Sequence, residues 1–297
     1  MKKCLSPAGH PLPLLLALAA TVVAARADVG LRFNREFTLT PASSETTGGG
    51  AATDEADSQA ELAKKLNNPV ASLISVPIQN NWDFGIGPAD AMKYTANIQP
   101  VIPVSISEDW NVIVRTILPV IYAESPTGGS STSGLGDTTQ SFFLSPKAPT
   151  KHGWIWGAGP VFYWPTSTDD ALGPGKVGAG PTAVLLKQEH GWTYGILANH
   201  IWSFAGQGDT SDINATFLQP FLSFTTKTYT TLTLNTESTY DWDNSQWTVP
   251  LNLMVAQLVK IGKMPVQFQI GGRYYAERPM NGPDWGLRFT VVFLFPK

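Results

Sequence analysis

From Ala71 to the C-terminus the chain is patterned with a period of two, broken at intervals by turn residues. In the clearest run, Thr231 to Trp242, the odd positions carry Thr, Thr, Asn, Glu, Thr and Asp, and the even positions Leu, Leu, Thr, Ser, Tyr and Trp. Val266, Phe268, Ile270, Gly272 and Tyr274 alternate with Gln267, Gln269, Gly271, Arg273 and Tyr275. Trp285, Leu287, Phe289, Val291, Phe293 and Phe295 share one face, against Gly286, Arg288 and Thr290 on the other. Trp247, Val249, Leu251, Leu253 and Val255 oppose Thr248, Pro250, Asn252 and Ala256. A helix, turning every 3.6 residues, would mix these sets; an extended strand sends each to its own face.

The same reading along the chain predicts about twelve strands. They fall near residues 71–83, 93–106, 109–122, 135–145, 153–164, 177–187, 191–203, 213–224, 229–242, 246–259, 264–275 and 284–296. Each has about 11 to 14 residues, where a globular strand usually has about five or six. A tilted strand crossing a bilayer needs about nine to eleven plus its ends. The segments at 135–145, 177–187, 191–203 and 213–224 have mixed faces.

The connections alternate in length. Ser107-Glu108, Gln188-Glu189-His190, Thr225 to Thr228 and Lys260 to Lys263 are tight turns. Phe84 to Met92, Ala123 to Gly134, Pro165 to Lys176, Phe204 to Asp212 and Ala276 to Pro283 are longer and rich in Gly, Pro and Asp. Two links break the rule: Asp243-Asn244-Ser245 is short on the long side, and Pro146 to His152 is long on the short side. Short turns at one end and long loops at the other are the layout of an outer-membrane barrel. An even strand number puts both termini on the short-turn, periplasmic side.

Aromatic placement points the same way. All ten tryptophans, Trp82, Trp110, Trp154, Trp156, Trp164, Trp192, Trp202, Trp242, Trp247 and Trp285, fall near predicted strand ends. So do Tyr94, Tyr122, Tyr229, Tyr240 and Tyr274. Indole and phenol rings favour the headgroup boundary of a bilayer, whereas a soluble sandwich would gather them at strand centres. The sequence therefore predicts an all-β fold, an antiparallel transmembrane barrel, rather than a β-sandwich. Arg115, Glu237, Arg273 and Arg288 lie on the polar phase of their strands, where a wet lumen hydrates them; facing lipid at mid-depth, each would cost about 2–4 kcal/mol. With Asn97, Gln99, Asn235, Asn252, Gln267 and Gln269 they are the expected barrel lining.

Composition narrows the class. The chain of 297 residues is 43% hydrophobic but only 14% charged, with a formal net charge of -3. This excludes a disordered chain, which needs high charge and few aromatics, and gives no basic patch for a nucleic acid. Residues 1–27 read as a secretory signal peptide: Lys2 and Lys3, an apolar stretch from Leu14 to Ala25 too short to span, and Ala25-Arg26-Ala27 before Asp28. The single cysteine, Cys4, lies ahead of that stretch. Residues 28–70 read as a periplasmic segment. Its stretch from Pro41 to Ala60 is a Ser/Thr/Gly/Ala-rich linker. The run from Glu61 to Leu66 makes about two turns of helix, stopped by Asn67-Asn68-Pro69. That helix is placed to plug the barrel from below.

Catalytic and metal chemistry is sparse. The four histidines lack ligand spacing, so neither a metal site nor a cofactor is expected. Gly173, Gly175 and Gly178 match a dinucleotide-binding pattern without the helix that should follow. Asp169-Asp170 suits a solvated turn better than a calcium site. Some twelve-stranded barrels are phospholipases using Ser, His and Asn. Asn199, His200 and Ser203 cluster near a strand end, but Asn199 and His200 must face opposite ways.

Several runs carry a family resemblance. They are Leu73-Ile74-Ser75-Val76-Pro77, Asn97 to Pro103, Gly134-Leu135-Gly136-Asp137 with Gln140-Ser141-Phe142-Phe143, Gly178-Ala179-Gly180-Pro181, Asn199 to Ser203, and Asn235 to Trp242. In this order they resemble the outer-membrane porin-like transporter family labelled for the MetA pathway of phenol degradation, over roughly Leu62 to the C-terminus. The resemblance implies an outer-membrane barrel that passes small aromatic or apolar compounds, and it supplies no catalytic residue. One departure is the ending Phe295-Pro296-Lys297, where such barrels usually end on an aromatic residue.

The expectation is thus a narrow twelve-stranded channel for passive transport, residues 71–297, and not an enzyme. Its partners would be outer-membrane lipids, the barrel-assembly machinery and a small solute. An outer-membrane lipase or protease and a structural barrel with a blocked lumen are the rival readings.

Overall fold

The computed structural model describes residues 59–206 and 210–296. The expected signal peptide, Cys4 and most of the linker lie outside the described residues. A short helix, α1 (59–66), precedes twelve strands. These are β1 (Ile74–Ile86), β2 (Ala91–Ile98, resuming as Val101–Ser105), β3 (Trp110–Ala123) and β4 (Thr132–Leu135, resuming as Thr138–Pro146). Next come β5 (Trp154–Trp164), β6 (Lys176–Glu189), β7 (Trp192–Gly206) and β8 (Asn214–Thr225). The last four are β9 (Thr230–Thr236, resuming as Ser238–Asp241), β10 (Gln246–Ile261), β11 (Met264–Glu277) and β12 (Trp285–Phe295).

Every strand pairs antiparallel with its chain neighbours, and β12 returns to β1 in an unbroken register from Ile74 opposite Phe295 to Phe84 opposite Trp285. The sheet closes on itself and has no edge, so its backbone donors and acceptors are spent within the wall. The fold is a closed antiparallel barrel of twelve strands.

Three strands are interrupted, each for a local reason. In β2 the break is at Gln99-Pro100, where proline has no N–H to give. In β9 it is at Glu237, which the register sets opposite Pro250. In β4 it is a bulge: Val120 pairs with Leu135 but Ile117 with Thr139, one residue more on the β4 side. The bulge frees Asp137 from the ladder. Its carboxylate oxygens accept the backbone N–H groups of Ser167 at 2.8 Å and Gly175 at 2.9 Å, fastening the β5–β6 loop. Leu172 of that loop is buried, and its carbonyl lies against Gly136 beside the Ile121 side chain.

Alternation divides the wall cleanly. Cross-strand partners such as Leu253 and Gly272, or Ile270 and Phe289, point outward, and the aliphatic ones stand exposed: Leu253 at 56% and Ile270 at 66%. The register turns all ten tryptophans outward. Trp82, Trp164, Trp202, Trp242, Trp247 and Trp285 ring the loop end, and Trp110, Trp154, Trp156 and Trp192 the turn end. Phe84 stacks on Trp285 at 4.6 Å in the first ring, and Trp110 meets Trp156 edge-on at 5.9 Å in the second. An apolar band between two aromatic rings is the outer face a bilayer requires. Tyr229 departs from the expected girdle: it packs against the cluster around α1.

The turn-end mouth is filled by α1 and the chain that follows it. Ala63, Ala71 and Leu73 cluster with Leu258, Val292 and Leu294, inward residues of β10 and β12. Val70 is buried with Ile113, Phe143, Val184, Leu186 and Leu197 from β3, β4, β6 and β7. Gly157 on β5 makes room for it, since a Cβ there would come 3.2 Å from Val70 Cγ1. On the same side of the barrel the strands approach too closely for a side chain: a Cβ on Gly180 would sit 1.7 Å from the His200 carbonyl oxygen.

The outer face generates a test. Leu253→Arg should lower the unfolding free energy in lipid vesicles by about 2–4 kcal/mol, read by urea titration. Wild-type stability would show that Leu253 does not meet hydrocarbon.

Candidate functional site

The interior between the α1 segment and the loops carries the molecule's densest polar chemistry. Alternation dictates which side chains arrive there. In β11 it delivers Gln267, Gln269, Arg273 and Tyr275; in β12, Arg288 and Thr290; in β1, Gln79, Asn81 and Asp83. β9 and β10 contribute Thr233, Asn235, Glu237 and Asn252, and β2 and β3 contribute Lys93, Asn97, Gln99 and Arg115.

Glu237 is the hub. Arg288 reaches both its carboxylate oxygens, Nη1 to Oε1 at 2.8 Å and Nη2 to Oε2 at 2.7 Å. Arg273 Nη2 donates to Oε2 at 2.8 Å. The fork-shaped pairing of Arg288 is the strong form of a charged hydrogen bond. Each arginine is also held on its flank: Arg288 Nε donates to Asn81 Oδ1 at 2.7 Å, and Arg273 Nε to Asn252 Oδ1 at 2.8 Å. Asn252 in turn donates to Asn235 Oδ1 at 2.8 Å. Asp83 closes the network, 3.3 Å from Arg273 Nη1 and accepting from the Tyr275 hydroxyl at 2.9 Å. With these partners the Arg288 side chain is only 3% exposed, a depth that an unpaired guanidinium could not hold.

The structure thus turns all eight residues expected to line a pore toward one interior: Arg115, Glu237, Arg273, Arg288, Asn235, Asn252, Gln267 and Gln269. It ties five of them into one hydrogen-bonded network. Arg115 stands apart, donating from Nη2 to Gln99 Oε1 at 3.1 Å. Asp83, Asn81 and Lys93 are not among the expected lining residues; Asp83 and Lys93 stand at the ends of the predicted strands 71–83 and 93–106, and Asn81 two residues inside the first. Their period-two spacing from Gln79 and Thr95 was the available signal.

The interior is lopsided. The walls of β12, β1, β2 and β9 to β11 are polar, whereas Phe143, Val184, Leu186, Leu197, Phe217 and Phe221 make the facing side apolar. A cavity of about 410 Å³ lies between, over a floor formed by 65–69 with Ala71 and Leu73. Few polar bonds hold that floor to the wall: Asn67 Nδ2 to Thr225 Oγ1 at 3.1 Å, Gln188 Nε2 to the Lys64 carbonyl at 2.8 Å, and Asn111 Nδ2 to Ser72 Oγ at 2.7 Å. At the opposite rim, Lys176 lies 3.1 Å from Asp212 in the β7–β8 loop and holds that carboxyl below the usual carboxylate range.

Outside the lumen the catalytic candidates separate. His200 faces outward and Asn199 inward, as adjacent strand positions must. His200 Nδ1 lies 2.7 Å from Thr216 Oγ1, the Trp202 ring lies against it tilted by 49° with centroids 4.0 Å apart, and its Nε2 has no hydrogen-bond partner among the described residues. Ser203 belongs to the rim, where its hydroxyl accepts the Ile213 N–H at 2.9 Å. Gly173 and Gly175 belong to the loop fastened by Asp137. Asp169 caps a turn by accepting the Ala171 N–H at 2.9 Å. Among the described residues no group of three or more His, Cys, Asp or Glu side chains could hold a metal ion.

No protein-family model and no curated protein sequence matches the chain. Among solved structures it is similar to an outer membrane channel from Pseudomonas putida F1, with a TM-score of 0.59 and 16% identity over 76% of this chain and 96% of that one. The NanC porin aligns at a TM-score of 0.49 and 9% identity, over 75% of this chain and 100% of that one. The outer membrane phospholipase A from Escherichia coli aligns at 0.42 and 12%, over 80% and 96%. At 16% identity the first likeness shows a shared barrel fold.

Glu237→Gln tests the hub. It leaves two buried guanidiniums facing one neutral amide and should destabilise the barrel by about 3–5 kcal/mol in urea titration. A loss under 1 kcal/mol would show that water, not Glu237, compensates those charges.

Proposed function

We propose that the protein is an outer-membrane channel for passive passage of small molecules, gated at its periplasmic mouth by the segment 59–73. The observation that carries this reading is the cavity inside the barrel, lined in large part by polar side chains that alternation has kept off the outer face and floored by a segment that is not part of the wall. A barrel serving only as a structural shell would fill that space with packed side chains. In this reading the two tryptophan rings sit in the headgroups of the outer membrane, the barrel-assembly machinery inserts the chain, and the long loops face outward.

Passage requires the floor to move. The strands are tied to both neighbours by backbone ladders along most of their length, but among the described residues the floor is held by three side-chain bonds and two apolar clusters. A helix of eight residues is not stable on its own in water and keeps its shape only while docked. Undocking therefore costs the burial of Ala63, Val70, Ala71 and Leu73 and leaves the wall intact. Solutes would then descend along the polar side, past Arg273, Glu237 and Arg288, because the β5–β6 loop and Val70 occupy the apolar side.

A lipid hydrolase is the rival. Its best support is the outward His200–Thr216 pair at the loop-end girdle, but Trp202 lies against the ring and among the described residues no carboxylate or amide orients its Nε2. Planar bilayers discriminate between the readings. The wild-type protein should give small, intermittent single-channel currents, and Val70→Asn, which puts an amide into the floor's apolar seat, should raise the open probability several-fold. Neither protein giving current, with both folded by their heat-modifiable gel migration, would overturn the channel. Release of fatty acid from phospholipid vesicles, lost in His200→Ala, would establish the rival.

A further inference from the structure

One cation lining the cavity, Arg115, is without a direct ion-pair partner among the described residues. Arg273 and Arg288 share Glu237, and Arg273 also has Asp83. Arg115 has Gln99 alone, and among the described residues no carboxylate lies within salt-bridge distance of it. A guanidinium carries five donors in a planar fork that matches the two oxygens of a carboxylate. Arg115 lines the cavity, where an opposite charge is attracted more strongly than in bulk water. Across β2 and β3 the same space is bounded by Val101 and Ile117, and farther round the wall by Phe217 and Phe221. These surfaces cannot hydrate a compact anion such as sulfate, but they suit a hydrocarbon body. The volume falls in the usual range for a small-molecule site, about 300–1,000 Å³.

We propose that this cavity is a binding site for small monocarboxylates with an apolar body, the carboxylate seated on Arg115 and the hydrocarbon against Val101, Ile117, Phe217 and Phe221. Glu237 lines the same cavity, so a second negative charge on the solute is repelled and dianions are excluded. The proposal deepens the channel reading by naming its solute class, and rests on it for the route of entry.

Calorimetric titration of the full-length protein in detergent, with empty micelles as the blank, reads binding without needing a current. Benzoate should bind at least tenfold more tightly than benzyl alcohol, its uncharged relative. Arg115→Gln should erase that preference, and Arg115→Lys should keep part of it. Equal affinities in the wild type, or a preference that survives in Arg115→Gln, overturns the assignment. In planar bilayers benzoate should reduce the chloride current of the wild type and not that of Arg115→Gln. A current indifferent to benzoate overturns the site and leaves the channel standing. Benzoate binding with no current in any variant supports the site and overturns the channel.

Discussion

Everything in this molecule follows from the need to satisfy backbone N–H and C=O groups where no water is present to do it. A sheet with a free edge would leave a row of such groups bare in hydrocarbon, each costing several kcal/mol. Closure of β12 on β1 removes the edge, and once the sheet is closed the two faces of every strand acquire opposite duties. Leu251, Leu253 and Val255 on β10 have no choice but to look outward when Asn252, Met254 and Ala256 look in. The interruptions keep to this rule: two coincide with a proline in the strand or opposite it, and the third with a bulge whose Asp137 bonds the backbone of a loop.

The inward face then poses a second problem, since a space of this width is too large for side chains alone to fill and too small to hydrate charges fully. The two sides solve it differently. On the polar side, Glu237, Asp83, Arg273 and Arg288 compensate one another through shared hydrogen bonds, with Asn81, Asn252 and Tyr275 satisfying what the charges leave over. On the other side, glycines on β5, β6 and β7 draw the strands close, and Val70 and Leu172 enter from the two ends to cover Phe143, Ile121 and their neighbours.

That division also explains what could be read from the chain. The strands with clean alternation, β9 to β12, are those whose inner face is polar, so the number, direction and facing of their residues were visible in the sequence. The segments that became β4, β6, β7 and β8 had mixed faces because both sides of them are apolar: Phe143, Val184, Leu186, Leu197 and Phe221 look inward onto Val70 and its surroundings rather than onto water. A period-two analysis has no term for a partner that arrives from elsewhere in the chain. The tryptophans were legible because the headgroup boundary selects them by height, which sequence position tracks along a strand. Which arginine pairs with which acid was not, since Glu237 meets Arg288 across 51 residues through register and barrel closure together. The helix from Glu61 to Leu66 was visible from composition, but its seat was not.

That seat is composed of the last strands to be synthesised as well as the first. Ala63 and Leu73 rest against Leu258, Val292 and Leu294, while Val70 rests against residues of β3, β4, β6 and β7. The whole seat of the stopper therefore needs the complete wall: the middle strands receive Val70, and the last strands receive Ala63 and Leu73. A wall lacking β10 to β12 could seat Val70 but neither Ala63 nor Leu73, so the stopper is fully held only in the closed barrel.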